Sequence, residues 1–250
     1  MNIAVIGCGF VGGTVADFLE SHLVNVWRID PKLYPNTELE SIKAKMGAFI
    51  ICVPTPESED GSCDDSIVKK VIKDLNTHKP ILLKSTVTPD LMGYYPSNVT
   101  YNPEFLRANS AKEDFQKQEV FILGGEDENQ LDYWSKMFLP YLPNTLEKRM
   151  SRTSAAMVKY THNAWLATKV AFFHELFLNT KNMKDFNYSD LTSTLGYMKN
   201  IGPSHMLAPN FDGKLGFGGH CFPKDVKALT NTVKHSILSK VIETNKELNR

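Results

Sequence analysis

The fold class predicted is α/β: a Rossmann-like, doubly wound and mostly parallel sheet followed by an all-helical domain. Three features of the sequence predict it. A glycine turn joins the first apolar run to the first helical pattern, further short apolar runs alternate with helical ones, and a long apolar helix begins past the midpoint. Residues 2–6 form the first run and lead into Gly7-Cys8-Gly9-Phe10-Val11-Gly12, after which 14–22 read as a helix. In such a turn Gly7 makes the tight bend, Gly9 lets a pyrophosphate approach the backbone, and Gly12 seats the helix against the strand. The helix N-terminus then offers unpaired N–H groups to phosphate, so Gly7, Gly9, Phe10, Val11 and Gly12 are candidate cofactor-binding residues. A second strand over 24–29 ends at Asp30, whose carboxylate suits the ribose hydroxyls. An acid there repels a 2′-phosphate, so the expected cofactor is NAD.

Further strands are expected at 48–53, 81–84, 99–101 and 120–123, separated by helical patterns such as 67–76 and 130–138. Ligands of such sheets lie at the carboxyl ends of the strands. Three polar clusters occupy those ends: Pro54-Thr55-Pro56, Ser85-Thr86-Val87 and Asn102-Pro103-Glu104-Phe105. Each read alone is loop punctuation; together they line one edge. Residues 139–150 carry two prolines and no apolar period, which predicts the passage out of a sheet domain spanning 1–150 into a helical domain spanning 151–250.

Ser151, Arg152 and Thr153 can cap a helix beginning near Ser154 that is apolar around most of its circumference. Burial by a second copy of the chain would explain that, so a homodimer through the helical domain is expected. Lys159 and Asn163 share a face of this helix. They point polar groups into a cleft, or they are a snorkelling lysine and a surface amide. His162, His174 and Glu175 have no metal-ligand spacing, and no metal is expected. Residues 190–216 are rich in Gly, Pro, Asn and Ser, with a turn at 210–214, and from Val226 a helical period runs to the terminus. Between them lies Leu215-Gly-Phe-Gly-Gly-His-Cys-Phe-Pro-Lys-Asp225. A thiol beside backbone N–H donors and a lysine ionises more readily than an isolated one, which makes Cys221 a candidate nucleophile. The alternative is a buried structural thiol in a flexible loop.

At 250 residues the chain holds one large or two modest domains. Its formal net charge is zero and no block of like charge occurs, so neither nucleic acid nor an anionic membrane is an expected partner. The four cysteines form no C-x-x-C pair and no dense framework, which fits a reducing cytoplasm. Residues 1–6 run straight into a strand without a basic leader, so no signal peptide is expected. The apolar region 155–178 is interrupted by Lys159, Lys169 and Glu175, which suits a core helix rather than a membrane span.

With these residues placed, the sequence resembles the UDP-glucose/GDP-mannose dehydrogenase family. Gly7 to Gly12 is similar to that family's G-x-G-[YF]-V-G turn, Cys52 to Pro56 to V-P-T-P, and Lys84 to Val87 to K-S-T-V. Asn102 to Arg107 is similar to N-P-E-F-L-R, Lys159 to Ala164 to K-Y-x-x-N-A, and Gly216 to Asp225 to G-F-G-G-x-C-x-P-K-D. The likeness covers nearly the whole chain, which stops where the family continues into a third domain that helps hold the substrate's nucleotide. It departs at Ala108-Asn109, where Glu-Gly is usual, and at Pro35, Ala156, Asn200 and His220.

The resemblance implies oxidation of a sugar CH₂OH to a carboxylate at the expense of two NAD⁺, most simply UDP-glucose to UDP-glucuronate. Cys221 would carry the second oxidation as a thiohemiacetal and then a thioester. By similarity Lys159 and Asn163 would stabilise oxyanions, while Asp225 and Glu104 with Thr86 would handle protons and the attacking water. Pro54, Thr55, Thr86 and Lys224 would face the cofactor. Glu104, Phe105, Leu106, Arg107, Lys159, Asn163, Asn210, Phe211, Asp212, Gly213, Lys214 and Gly218 would contact the nucleotide sugar. Two other functions compete: a two-electron hydroxyacid-type dehydrogenase using Lys159, and a protein that binds NAD or a nucleotide sugar without turnover.

Overall fold

The structure, a computed structural model, describes residues 1–107, 109–219 and 221–249. Ala108 and His220, singled out above, lie outside the described residues. The chain divides into two compact units, Met1–Ser58 with Cys63–Lys159, and Glu59–Ser62 with Tyr160–Arg250.

The first unit runs β1 Asn2–Ile6, α1 Phe10–Ser21, β2 Asn25–Ile29, α2 Leu39–Ile42, β3 Ala48–Ile51, α3 Ser66–Leu75, β4 Ile81–Leu83 and β5 Val99–Tyr101. It continues through α4 Ala111–Gln116, β6 Val120–Gly124, α5 Glu128–Phe138 and β7 Leu146–Met150 into the first turns of α6, Arg152–Thr180. The strands form one sheet in the order β2-β1-β3-β4-β5-β6-β7. Neighbours are parallel except β5 and β6, which meet antiparallel where Tyr101 faces Gly124. The chain leaves β1 toward β2 on one side and β3 toward β4 on the other, so the crevice of a doubly wound sheet lies beyond the carboxyl ends of β1 and β3.

Period-2 alternation within apolar strands divides the core between the two faces of the sheet. Ala4, Ile6, Phe49, Ile51, Ile81 and Leu83 pack on one side with Val68 and Leu75 of α3. Ile3, Val5, Ile50, Leu82, Phe121 and Leu123 pack on the other with Val15 and Leu19 of α1 and Trp134 and Phe138 of α5.

Several boundaries differ from the sequence reading. Helix α1 begins at Phe10 rather than 14, inside the glycine turn, with Gly9 as its N-cap. Residues 139–150 do not simply leave the sheet. They make a short 3₁₀ turn, Leu139–Tyr141, and then β7, paired parallel with β6 from Leu146 opposite Val120 to Met150 opposite Gly124. An edge strand with only Glu147 and Met150 half-buried needs no apolar run, so no such signal existed. The short helices α2 and α4 were not foreseen. Helix α6 starts at Arg152, where Ser151 Oγ accepts from Ser154 N at 3.2 Å. The buried Arg152 guanidinium donates to Tyr95 O at 2.9 Å and Pro96 O at 2.8 Å and pairs with Glu126 at 2.8 Å.

The second unit comprises α6 from Tyr160 onward, α7 Tyr188–Tyr197, α8 Phe222–Val233 and α9 Ser236–Leu248. Helix α7 lies in a stretch expected to be irregular; Asn187 caps it by accepting from Ser189 N and Asp190 N. The buried Lys169 ammonium donates to Ile201 O at 2.8 Å and Gly202 O at 2.9 Å, and the single proton of Tyr188 Oη is shared between Met206 O at 2.8 Å and Phe173 O at 3.0 Å. The period from Val226 is two helices, not one: Lys234 adopts a left-handed φ of 48° and His235 Nδ1 accepts from Leu238 N to start α9. In the single chain Val158, Trp165 and Phe172 of α6, seven residues apart on one stripe, are 39%, 61% and 60% exposed. Among the described residues no helix is long and apolar enough to cross a membrane.

Candidate active site

The glycine turn of the first unit has the shape its residues predict. Gly7 has a φ of 83°, and a Cβ there would lie 2.7 Å from Cys52 O; a Cβ on Gly12 would lie 1.9 Å from Gly7 O. Only glycine fits either place. At Gly9 a Cβ would meet nothing within 4 Å, so backbone faces open space there. Helix α1 has no side-chain N-cap bond and no acid in its first turn, leaving its leading N–H groups for a phosphate. Asp30 lies beside them. Its Oδ2 accepts from Cys8 N at 2.9 Å and its Oδ1 from Lys32 N at 2.9 Å and Leu33 N at 3.1 Å. Partial burial opposes its charge, but these three donors outweigh it and hold the carboxyl below the usual range. Phe10 stands exposed at the turn, and Thr55 Oγ1 donates to Thr86 O at 2.7 Å, tying the loops after β3 and β4 together. This cradle fits NAD.

At the ends of β4 and β5 the same unit buries three charges. Lys159 Nζ donates to Glu104 O at 2.5 Å and to Glu104 Oε1 at 3.1 Å, with Phe105's ring face 5.3 Å away. Glu104 Oε2 accepts from Leu106 N at 2.7 Å. Burial pushes the Glu104 carboxyl up, yet the Lys159 ammonium and the Leu106 N–H together hold it below its ordinary value. Lys84, 3% exposed, donates to Asn102 Oδ1 at 2.5 Å, and Asn102 Nδ2 donates on to Ile122 O at 2.6 Å. Burial brings the Lys84 pKa down to about 8. Leu106 is half-buried, whereas Arg107 is exposed and engaged with Asp114 at 2.6 Å.

In the second unit Asn163 Nδ2 donates to Asp225 Oδ2 at 2.7 Å, and Lys224 Nζ lies 2.7 Å from Asp225 Oδ1. Each carboxylate oxygen of the buried Asp225 therefore carries one donor. Asp225 N donates to Cys221 O at 2.9 Å, closing the first turn of α8 with Cys221 as its N-cap. Cys221 is exposed. Helix α8 carries Pro223 in its first turn and has no side-chain cap bond. In the first unit burial pushes the Cys8 thiol up to about 11 and Cys52 up to about 12. Asn210 to Lys214 make the expected turn, with Gly213 N donating to Asn210 O at 2.8 Å and Asn210 N to Lys214 O at 2.8 Å. Phe211, Asp212, Gly213, Lys214 and Gly218 are exposed.

Lys159 and Asn163 are thus not a surface pair. Both are 4% exposed, one turn apart on α6, and each engages a carboxylate in its own unit. Sequence reasoning passed over Lys84 and Asn102, present within quoted motifs but assigned no role, and it read His174 as bland. His174 is 1% exposed and bonded through both ring nitrogens, a pattern that a lone histidine in a helix does not announce.

Two consecutive family models match the chain: the NAD binding domain of the UDP-glucose/GDP-mannose dehydrogenase family over residues 30–142, and that family's central domain over 153–250. The UDP-glucose 6-dehydrogenase of Rickettsia bellii (strain RML369-C) is 30% identical, covering 99% of this chain and 67% of that protein. The chain belongs to the UDP-glucose/GDP-mannose dehydrogenase family. The enzyme class is therefore an NAD-dependent nucleotide-sugar dehydrogenase, and NAD is the cofactor. The chain spans about two thirds of the length of the curated relatives it matches. A UDP-glucose dehydrogenase from Pyrobaculum islandicum shares the family fold, with a TM-score of 0.86 at 24% identity over 98% of this chain and 68% of that one. So does a 3-hydroxyisobutyrate dehydrogenase of Mycobacterium tuberculosis, at 0.75 and 17% over 98% of this chain and 92% of that one. At these identities the likeness is one of fold alone.

Proposed function

We propose that the protein oxidises a nucleotide sugar by four electrons, UDP-glucose to UDP-glucuronate being the favoured pair, through a thiohemiacetal and a thioester on Cys221. The observation that carries this reading is an exposed Cys221 at the N-terminus of α8, one turn from an Asp225 held by Asn163 and Lys224. In the first step the sugar's CH₂OH loses a hydride from carbon and a proton from oxygen, giving an aldehyde. An aldehyde carries no hydroxyl whose loss of a proton can drive out a second hydride. Cys221 thiolate supplies one by forming a C–S bond to the carbonyl carbon while the oxygen takes up a proton. Loss of the second hydride and that proton leaves a thioester; water then adds, the C–S bond breaks, and the carboxylate departs as the thiolate is restored. When bound, NAD⁺ accepts the hydride in each oxidation.

The roles proposed for the chain's residues follow from their chemistry. Gly7, Gly9, Phe10, Val11, Gly12, Asp30, Pro54, Thr55 and Thr86 hold the cofactor, with Lys224 facing it. The Lys159 ammonium and the Asn163 amide stabilise oxyanions. Asp225, Glu104 and Thr86 move protons and orient the water. The sugar nucleotide meets Glu104 to Arg107, Asn210 to Lys214 and Gly218. We further propose a sheet domain over 1–150, a helical domain over 151–250, a homodimer formed through the stripe Val158, Trp165 and Phe172 of α6, and a cytoplasmic location suited to four cysteines without a C-x-x-C pair.

The test is to supply NAD⁺ with a panel of UDP- and GDP-sugars and count NADH formed per sugar consumed. Two per sugar is the expected result. One per sugar would transfer the reading to a two-electron dehydrogenase using Lys159, and none across the panel would leave only a binding protein.

A further inference from the structure

The glycine loop ahead of Cys221 is held by residues far away in sequence. Gly216 N donates to His174 Nδ1 at 2.8 Å, and Asn210 Nδ2 donates to Gly216 O at 2.9 Å. The next residue is held at both of its backbone groups by one side chain: Phe217 N donates to Asn245 Oδ1 at 2.7 Å, and Asn245 Nδ2 donates to Phe217 O at 3.0 Å. The backbone carbonyl of Asn245 accepts from Asn249 Nδ2 at 2.7 Å. The seat is close. A Cβ on Gly216, whose φ is 76°, would stand 2.5 Å from both Asn245 Oδ1 and Asn249 Nδ2.

His174 is committed to one tautomer by its partners. Nδ1 must be bare to accept from Gly216, while Nε2, 2.7 Å from Leu207 O, must carry the proton. Gly216 and Phe217 are buried, whereas a Cβ at Gly218 or Gly219 would meet nothing within 4 Å. The clamp therefore fixes two buried residues, Gly216 and Phe217, ahead of the open glycines. The two N–H and two C=O groups of these buried residues must be paired, and here all four partners are side chains, those of His174, Asn210 and Asn245, rather than the backbone of a neighbouring strand or helix.

We propose that Asn245 and His174 are positioning residues for Cys221, fixing the Gly216-Phe217 peptides so that the glycine loop delivers the thiol to the aldehyde carbon. The inference rests on the reading of Cys221 as nucleophile, and it locates the effect in one step: thiol addition, not the first hydride transfer.

The test uses the full chain and rapid mixing of UDP-glucose with excess NAD⁺, following the first and second NADH separately. Asn245→Leu keeps the volume and removes both bonds to Phe217. It is expected to form the first NADH at the wild-type rate and the second about 100-fold more slowly, with KM for the sugar changed less than about threefold, the scale on which a misplaced reacting group costs rate. His174→Leu is expected to act in the same direction, and His174→Asn, which restores an acceptor near Nδ1, to recover most of the loss. Asn245→Asp retains the acceptor for Phe217 N and serves where the leucine variant melts below the assay temperature; it is expected to lose about tenfold or less in the second step. Equal slowing of both steps, a rise in KM alone, or an unaffected second step would each overturn the proposal. Cys221→Ala separates the two levels of inference. If that variant makes the second NADH at the wild-type rate, the nucleophile reading falls and takes the clamp with it. If it stops after the first while Asn245→Leu proceeds normally, only the clamp falls.

Discussion

The two glycine turns of this protein solve opposite problems. In the first, Gly7 and Gly12 are glycines because the chain packs on itself: their missing Cβ atoms would strike Cys52 O at 2.7 Å and Gly7 O at 1.9 Å. The strand, the turn and the helix that collide there are adjacent in sequence or neighbouring strands. In the second, Gly216 is seated against side chains of α9, and its peptide is held by His174 of α6 and Asn210. The first turn is shaped by its own backbone to leave N–H groups open for a phosphate. The second is shaped by distant side chains to hold a reactive group. A turn that binds needs vacancy, and a turn that presents a nucleophile needs anchorage.

The two turns differ most at Gly12. Gly12→Val is expected to abolish NAD binding in a calorimetric titration and to cost about 3 kcal/mol or more of stability, because the helix cannot move off the strand without losing its core contacts. Gly216→Ala is the counterpart in the second turn. Its left-handed backbone and the close approach of Asn245 predict a loss of about 1–3 kcal/mol in denaturant melts, with NAD binding unchanged. Asn163→Ala is expected to cost about 1–3 kcal/mol as well, since the buried Asp225 loses the donor on Oδ2. Gly218→Ala, in open space, is expected to stay within about 0.5 kcal/mol of the parent. A large loss there would mean the second turn is self-packed like the first.

A pH series tests the buried charge of the first unit. Lys84 has a folded pKa of about 8 against an ordinary 10.5, so between those values the unfolded chain binds more protons than the folded one. Stability then rises with pH across that window, and the penalty for the buried ammonium is fully present below it. The contribution to the slope is at most about 1.4 kcal/mol per pH unit. Lys84→Met is expected to flatten the slope between pH 8 and 10.5 relative to the parent; an unchanged slope would show that Lys84 stays charged in the fold.

Much of this arrangement was legible in the sequence because its determinants are local. The turn from Gly7 to Gly12, Asp30 at the end of β2, and the motif ends Thr86, Glu104 and Asp225 all sit where a strand or helix boundary announces itself. Lys159 and Asn163 were legible as a shared helix face but not as buried groups, because burial depends on Glu104 and Asp225 arriving from elsewhere. Strand β7 was hidden because an edge strand with exposed Lys148 and Arg149 has no apolar signature. The break between α8 and α9 was hidden in a left-handed Lys234, where asparagine or glycine would have been the usual marker. His174 and Asn245 were illegible for the deepest reason: their partners are backbone atoms of Gly216 and Phe217, and a backbone group leaves no mark in the sequence.

In the proposed chemistry Cys221 makes the second oxidation possible. The most direct measurement counts NADH per molecule of UDP-glucose consumed, for the parent protein and Cys221→Ala side by side under the same NAD⁺ excess. Two are expected for the parent and no more than one for the variant, with an aldehyde trapped in the latter. Two NADH per sugar from both proteins would contradict that chemistry.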